Sequence, residues 1–279
     1  MSMKFSAISI PVFCLFLFSC ELDSPEVNQY VVEGYITAGE RIDNILVKET
    51  ALLSDDEVTN MPIENASVIV STSEASVALV YDQASGKYVD EFGELPIDVE
   101  ATYRLDVIVE GSRASGSTIV PEIPTGLSLP VTEFEIPTLT LNFGLPQQFQ
   151  ELFQEQAAAL TWDGVPGRSY YVVIENKEEM LDPILPEGIP QESLDLISSF
   201  RFISEPSEET SFEIIAVALE TYGRHVAKVY TVNEEYVDLF NSDVQDSRDL
   251  NEPPSNINNA LGIFTAFAVD SVEFVVVRP

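Results

Sequence analysis

Alternation at period two constrains this chain more than any other feature. From residue 103 to residue 110, Tyr103, Leu105, Val107 and Val109 alternate with Arg104, Asp106, Ile108 and Glu110. Successive side chains of a strand point to opposite faces, so such a run makes a half-buried strand and spoils a helix. The same beat recurs at Ala66, Val68 and Val70, and again at Val77, Leu79 and Tyr81. The latter run closes on Ala84-Ser85-Gly86-Lys87 and is answered by Tyr88 and Val89, while Gly111 turns the chain back toward Ser117 to Val120. Short strands divided by turn residues, without helical patterns between them, predict a mainly β fold of sandwich type rather than βαβ units. Apolar residues at 45% and aromatics at 10% of 279 residues supply enough core for two domains.

Pro121, Pro124, Gly126 and Pro130 then interrupt the pattern. Proline cannot donate to a central ladder, so a domain boundary is expected near residue 125. The prediction is one β-sandwich over residues 30–122 and a second, with helical insertions, over residues 127–279. In the second, Phe149, Leu152, Phe153, Ala157 and Leu160 lie at helical spacing within Gln147 to Leu160. Leu160 to Gly167 reads as a strand entering a turn, and Tyr170 to Ile174 as the strand returning, which resembles the surroundings of the core tryptophan in fibronectin type III domains. Trp162 is therefore expected to pack first and to serve a ligand second. A short helix is expected at Glu192 to Phe200, and strands at Phe212 to Leu219 and His225 to Val232. Asn233 is the expected N-cap of a helix with Glu234 and Glu235 in its first turn. Tyr236, Leu239, Phe240 and Val244 would be its buried face, and Leu261 to Val277 would add two closing strands.

The first twenty residues carry an address. Met1-Ser2-Met3-Lys4 is followed by an apolar stretch from Phe5 to Phe18, too short to span a bilayer as a helix. Leu17-Phe18-Ser19-Cys20 resembles the bacterial lipobox, with an aliphatic residue at −3, a small one at −1 and the cysteine; Phe18 departs from the commoner small residue at −2. An ordinary signal-peptidase site wants a small residue where Leu17 stands. The expectation is a signal peptide over residues 1–19, lipidation of Cys20, and a tether over residues 20–29. Diacylglycerol and amide-linked chains together give the two signals that stable anchoring needs. Glu21 to Glu26 resembles the acidic segment of surface-exposed Bacteroidota lipoproteins, so the expected location is the outer membrane, facing outward. Cys14 and Cys20 are the only cysteines, so the folded body is expected to hold no disulfide and no Cys metal ligand.

Catalytic signatures are absent from the sequence. His225 is the sole histidine, which rules out metal motifs that need two, and no Gly-x-Ser-x-Gly elbow accompanies it; it is expected to be structural or exposed. Asn241 to Asp249 lacks the ligand alternation and central glycine of a calcium loop, and Asp55-Asp56-Glu57 reads as a plain acidic loop. With 47 acidic residues, a carboxylate pair for glycoside hydrolysis can be drawn almost anywhere. No Gly-rich phosphate loop is present. No catalytic residue, cofactor or metal ligand is assigned. A formal charge of -34 repels phosphate backbones, which argues against nucleic acid as a partner. The charge gives a hydrated surface, or, more sharply read, one that draws cations or a basic protein.

Three segments together carry a resemblance: Tyr30-Val31-Val32-Glu33-Gly34-Tyr35-Ile36-Thr37, Ala101-Thr102-Tyr103-Arg104-Leu105-Asp106-Val107, and Pro254-Ser255-Asn256-Ile257-Asn258-Asn259-Ala260-Leu261-Gly262-Ile263-Phe264. They resemble uncharacterised Bacteroidota lipoproteins known as a domain of unknown function, which open on a "VVEG" strand and carry "PSNI…ALGYF" near the end. Ile263 stands where that family usually has tyrosine, and residues 178–200 look like an insertion. The resemblance implies an N-terminal domain similar to immunoglobulin or carboxypeptidase-regulatory sandwiches. It also implies genomic company with TonB-dependent outer-membrane receptors, and it carries over no catalytic residue. Pro254 to Phe264 is expected to be a structural turn and strand, with Asn256 and Asn258 bonding local backbone and Gly262 allowing close approach or a bulge. The expected role is a non-enzymatic accessory or binding partner of such a receptor. A surface adhesin or structural protein is the alternative, and a carboxylate-dependent hydrolase of extracellular polymers the third.

Overall fold

The computed structural model describes residues 30–50, 61–137, 157–184, 202–215, 219–243 and 254–279. The expected signal peptide, Cys20, the tether, the Asp55-Asp56-Glu57 loop and the Glu192 to Phe200 helix lie outside the described residues. So does the suggested calcium loop beyond residue 243.

The first half runs through β1 (Tyr30–Thr37), β2 (Ile45–Glu49), β3 (Ser67–Ser71), β4 (Ser76–Asp82), β5 (Lys87–Val89), β6 (Thr102–Val109) and β7 (Ser112–Ile119). The second contains β8 (Thr125–Ser128), β9 (Glu133–Glu135), β10 (Ala157–Asp163), β11 (Ser169–Asn176), β12 (Asp182–Pro183), β13 (Phe202–Ile203) and β14 (Ser211–Ile215). It ends with β15 (Thr221–Val232), helix α1 (Glu234–Asp243) and β16 (Leu261–Val277). The fold is mainly β, as the alternation predicts. In β6, Tyr103, Leu105 and Val107 are buried while Thr102, Arg104 and Ile108 are exposed.

In the first half, the antiparallel strands β4-β3-β6-β7 face β16-β1-β2-β5, and β4 pairs with both β3 and β5. Val32, Ile36, Ile45, Val47, Val70, Leu105 and Phe264 fill the space between them. Two buried tyrosines pin its loops. Tyr88 donates its hydroxyl to the Ile63 carbonyl at 2.7 Å and accepts from Ala66 N–H at 2.8 Å. Tyr103 does the same between the Pro96 carbonyl (2.6 Å) and Asp98 N–H (2.8 Å).

In the second half, the small sheet β14-β10-β8 packs across β13-β11-β15-β16. Leu160, Trp162, Tyr170, Val172, Ile214, Val229 and Phe274 lie between the two layers. Ala157 and Leu160 belong to a strand, not to the helix their spacing suggested. Ala158, Leu160 and Trp162 alternate inward in β10, which hydrogen-bonds β14 on one edge and β8 on the other. Three alanines and a leucine fit either period, and the neighbouring strands decide. The rest of that expected helix lies outside the described residues.

The two closing strands expected at the C-terminus are one strand, β16. Its first part runs parallel to β1, from Val31↔Leu261 to Thr37↔Phe267. Its second part runs antiparallel to β15, from Val232↔Phe267 to Gly223↔Val276. It thereby crosses the division drawn near residue 125, and Ile257, Ala260, Phe264 and Ala266 sit in the first core.

Two of the three segments that carry the family resemblance, Tyr30 to Thr37 and Pro254 to Phe264, meet in this joint. Val32 lies opposite Gly262, and Gly34 opposite Phe264. Gly262 takes φ +116°, and a Cβ there would collide with the Val32 carbonyl oxygen. A Cβ on Gly34 would lie 2.8 Å from Phe264 Cδ2. Asn256 donates Nδ2 to the Phe264 carbonyl (2.7 Å) and accepts from Phe264 N–H at Oδ1 (2.8 Å), so its amide stands in for a strand neighbour. Asn258 bonds β7 rather than its own turn: its N–H and its Nδ2 both donate to the Ser115 carbonyl, at 2.8 and 3.2 Å. Pro254 to Phe264 is thus a structural turn and strand.

Candidate functional site

Both faces of the central strands are occupied. In β11, Tyr170, Val172 and Ile174 enter the second core, so the pleat turns Tyr171 to the opposite face. Tyr171 lies directly across from Tyr230 of β15, and their rings stack at 4.7 Å and 4°. Tyr236 of α1 stacks against Tyr171 at 5.7 Å and 30°. Phe267 of β16 meets Tyr171, Tyr230 and Tyr236 edge-on, at 6.1, 6.2 and 5.1 Å. Tyr35 of β1 stacks on Phe267 at 6.0 Å. Phe267, buried and paired in register with both Thr37 and Val232, is the hub where the two halves meet.

Helix α1 is held by its junction. The Asn233 carbonyl accepts from Tyr236 N–H (3.1 Å) and Val237 N–H (3.3 Å), which starts the helix. Its side chain is not the expected cap. Asn233 Nδ2 donates instead to Thr118 Oγ1 (3.0 Å) and to the Ile119 carbonyl (2.8 Å) at the end of β7. Thr118 in turn donates to Glu235 at 2.9 Å. Tyr236, Leu239 and Phe240 are half-buried, as expected for the inner face of the helix.

These five rings, Tyr35, Tyr171, Tyr230, Tyr236 and Phe267, together with Glu40, Arg41, Asp43 and Asn44 of the β1–β2 loop, line an open groove of about 410 Å³. Burial, then the neighbouring phenols of Tyr236 and Tyr230, then Glu175, push the Tyr171 hydroxyl far above its usual range. Tyr236 is raised by burial. Lys228 pairs with Glu175 at 2.9 Å. Burial opposes its charge, but the Glu175 hydrogen bond and the fields of Tyr230, Glu175 and Glu40 prevail and raise its pKa. A second open hollow, about 630 Å³, shares Arg41, Asp43 and Asn44 and is otherwise lined by residues of β4, β5 and their flanks, Asp82, Ser85, Lys87 and Glu91 among them.

The singled-out residues fall elsewhere. His225 is buried in β15, with its ring on Phe274 at 5.3 Å and 15°. Its Nδ1 lies 3.0 Å from the Gly223 carbonyl and its Nε2 3.3 Å from Thr221 Oγ1. A proton on Nδ1 satisfies the first contact and leaves Nε2 to accept from the threonine. Burial lowers its pKa, with Gly223 and Glu178 pulling the other way. It is a structural histidine. Trp162 is likewise a core residue, 7% exposed and edge-on to Tyr170 at 5.7 Å. Among the described residues, no group of three His, Cys, Asp or Glu side chains is placed to hold a metal ion, and no helix is long and apolar enough to cross a membrane.

Sequence reasoning missed the groove, although a signal exists. Tyr170-Tyr171-Val172-Val173-Ile174 is apolar at both parities, and an unbroken apolar run marks a strand covered on both faces.

No curated protein matches the sequence. Among solved structures, the fibronectin FN1–FN3 domains of chicken CNTN1 share 10% identity at a TM-score of 0.24, over 88% of this chain and 66% of that one. A three-domain segment of titin shares 9% identity at a TM-score of 0.21, over 72% and 56%. The chain therefore spans less than two thirds of either relative's length. Residues 17–273 match the family described as Domain of unknown function (DUF4249). With all but the ends of the chain inside that match, the protein belongs to this family.

Proposed function

We propose that this protein is a non-enzymatic lipoprotein, held at the outer-membrane surface by acylated Cys20, that acts as a binding accessory of a TonB-dependent receptor. The observation that carries the binding role is the aromatic groove: five rings from four strands and one helix converge beside a polar loop. Side chains of this kind supply large, rigid contact area at low entropic cost, as in recognition surfaces generally. The sole histidine is sequestered in β15, stacked on Phe274, so acid–base chemistry at the groove has no imidazole to use. Leu17-Phe18-Ser19-Cys20 supports the anchor. The resemblance to Bacteroidota lipoproteins supports the receptor as partner.

Affinity capture of the full-length protein from detergent-solubilised outer membranes, with fatty-acid labelling of wild type and Cys20→Ala, tests the reading. Label on the wild type alone, together with a co-purifying TonB-dependent receptor, is the expected result. A protein without label that recovers no receptor would count against both parts.

A further inference from the structure

The larger hollow, beside the β4–β5 hairpin, holds opposite charges that do not close on one another. Val77, Leu79 and Tyr88 enter the first core, so the pleat turns Val80, Asp82, Lys87 and Val89 to the outer face. There Val80 lies across from Val89, and Asp82 across from Lys87. The Asp82 carboxylate is spent on its own turn. It accepts from Ser85 Oγ at 2.7 Å and from the N–H groups of Ser85 and Ala84 at 3.1 and 3.2 Å, and these bonds, Ser85 Oγ first, hold it below the usual carboxylate range. Lys87 is left to the hollow together with Arg41, whose Nη1 donates to the Glu91 carbonyl at 3.2 Å. Asp43 and Glu91, both exposed, line it as well. Among the described residues, none of the side chains of Arg41, Asp43, Lys87 and Glu91 stands in an ion pair. Lys48, Arg104, Arg113, Arg224, Lys228 and Arg278, by contrast, each hold a carboxylate.

The residues that line the hollow are held before any ligand arrives. Ile42 is fully buried, and its carbonyl accepts from Asp90 N–H at 2.7 Å, while the Asn44 carbonyl accepts from Tyr35 N–H at 3.0 Å. Asp90, itself buried, accepts from Leu95 N–H at 3.0 Å. At about 630 Å³ the hollow falls within the size of small-molecule sites, about 300–1,000 Å³. With Asp82 satisfied by its turn, two cations and two carboxylates balance inside it. From further off, the formal charge of -34 turns anions away. We propose that this hollow binds a neutral sugar unit of a glycan, its hydroxyls hydrogen-bonded by Arg41, Asp43, Lys87 and Glu91 and its C–H face against Val80 and Val89. A hydroxyl both donates and accepts, so neighbouring hydroxyls match a site that offers cationic donors and carboxylate acceptors together. Hydrogen bonds to ionised groups are the stronger kind. Val80, 53% exposed, and Val89 supply the apolar contact.

The test titrates the full-length acylated protein, in a detergent without a sugar headgroup, and follows binding by calorimetry. The probes are neutral oligosaccharides of glucose, mannose, galactose and xylose, with an oligogalacturonate and triglycine beside them. Binding of at least one neutral oligosaccharide, little changed by salt, is expected. Lys87→Met and Glu91→Gln should each weaken it about tenfold, as loss of a hydrogen bond to a charged group does. Neither change removes a side-chain bond from the fold, since Lys87 has no partner among the described residues and Glu91 uses only its carbonyl. Lys177→Met, at an exposed lysine of the second half outside any printed pair, should leave binding as it is. Near-UV circular dichroism checks folding; if one hollow variant is misfolded, the other carries the test. No binding of any neutral oligosaccharide, tighter binding of the galacturonate or the peptide, steep loss with salt, or unchanged binding by a folded hollow variant overturns the proposal. So does an equal loss in Lys177→Met. The proposal goes beyond the accessory reading and does not need it. Glycan binding without receptor capture leaves the hollow standing, and receptor capture without glycan binding sinks the hollow and spares the accessory role.

Discussion

Replacing Asn256 with alanine leaves the strand β16 one neighbour short at the point where the two halves are joined. Phe264 belongs to β16 while β1 lies on one side of it, and β15 does not begin pairing until Phe267. On the other side Asn256 fills the gap, with hydrogen bonds of 2.7 and 2.8 Å to the Phe264 carbonyl and N–H. The phenylalanine is fully buried, at 0% exposure, so water reaches its backbone poorly once the amide is removed. Each backbone group left without a partner costs about 1–3 kcal/mol, and the two together about 2–5 kcal/mol after partial rehydration. Against a total stability of about 5–15 kcal/mol for a typical protein, that is a large fraction. Urea titration of the full-length protein, read by near-UV circular dichroism, should show the midpoint falling with little change in slope. Asn256→Asp makes the reasoning sharper. A carboxylate accepts from Phe264 N–H but faces the Phe264 carbonyl with a second acceptor, so it should rescue little at pH 7 and more once protonated. A loss below about 0.5 kcal/mol for Asn256→Ala, the range of ordinary surface changes, would refute the argument that this amide replaces a strand.

Gly262→Ala sets a Cβ against the Val32 carbonyl at a φ of +116° and should cost at least about 3 kcal/mol or prevent folding; soluble yield and urea midpoint measure it. His225 has its pKa lowered by burial, so between that lower value and the unfolded value near 6.5 the unfolded chain binds a proton that the folded chain does not. Its share of stability is complete above about pH 6.5 and fades as pH falls toward the folded pKa; comparing wild type with His225→Gln from pH 7.5 to 5.5 should show a shallower slope in the variant. Asn233→Ala removes the hydrogen bonds to Thr118 and Ile119, two bonds worth about 2–4 kcal/mol with their buried partners left behind, readable by hydrogen exchange at the end of β7 and the start of α1.

How much of this was visible in the sequence depends on whether local or distant partners decide. Period two placed Tyr103, Leu105 and Val107 inward correctly, because a strand with one wet face records its orientation in its own residues. Ala157 and Leu160 were misread because an alanine-rich stretch carries no such record, and only β14 and β8 make it a strand. Asn233 has the sequence signature of a cap, yet its amide is used by β7, 114 residues away. The aromatic groove draws Tyr35, Tyr171, Tyr230, Tyr236 and Phe267 from five elements, so no spacing within one segment announces it. Only the apolar doublet at Tyr170-Tyr171 hinted that the outer face of β11 is covered.

The joint and the groove are coupled by register. In β16, Phe264 and Ala266 face the first core while Phe267 faces the groove, and a slip of one residue would exchange those faces along the strand. What holds the register is the fit of Gly34 to Phe264 and of Gly262 to Val32. Gly34→Ala places a methyl group 2.8 Å from Phe264 Cδ2 and 3.0 Å from Ile45 Cδ1, with Leu105 Cδ2 at 3.4 Å. Overpacking of this kind costs about 1–3 kcal/mol when neighbours can give. Phe264, Ile45 and Leu105 are all fully buried in the first core, so their side chains have little room to give and the strain is relieved by a shift of the start of β16 against β1. Such a shift moves Phe267 out from beneath Tyr171, Tyr230 and Tyr236 without unfolding the second core. Gly34→Ala should therefore disturb the near-UV signal of the clustered tyrosines and weaken binding at the groove while far-UV circular dichroism keeps its β signature. A variant that loses stability with its groove binding untouched would show that the seat of Phe267 is fixed by β15 alone, and that the segments around Gly34 and Phe264 serve the first core only.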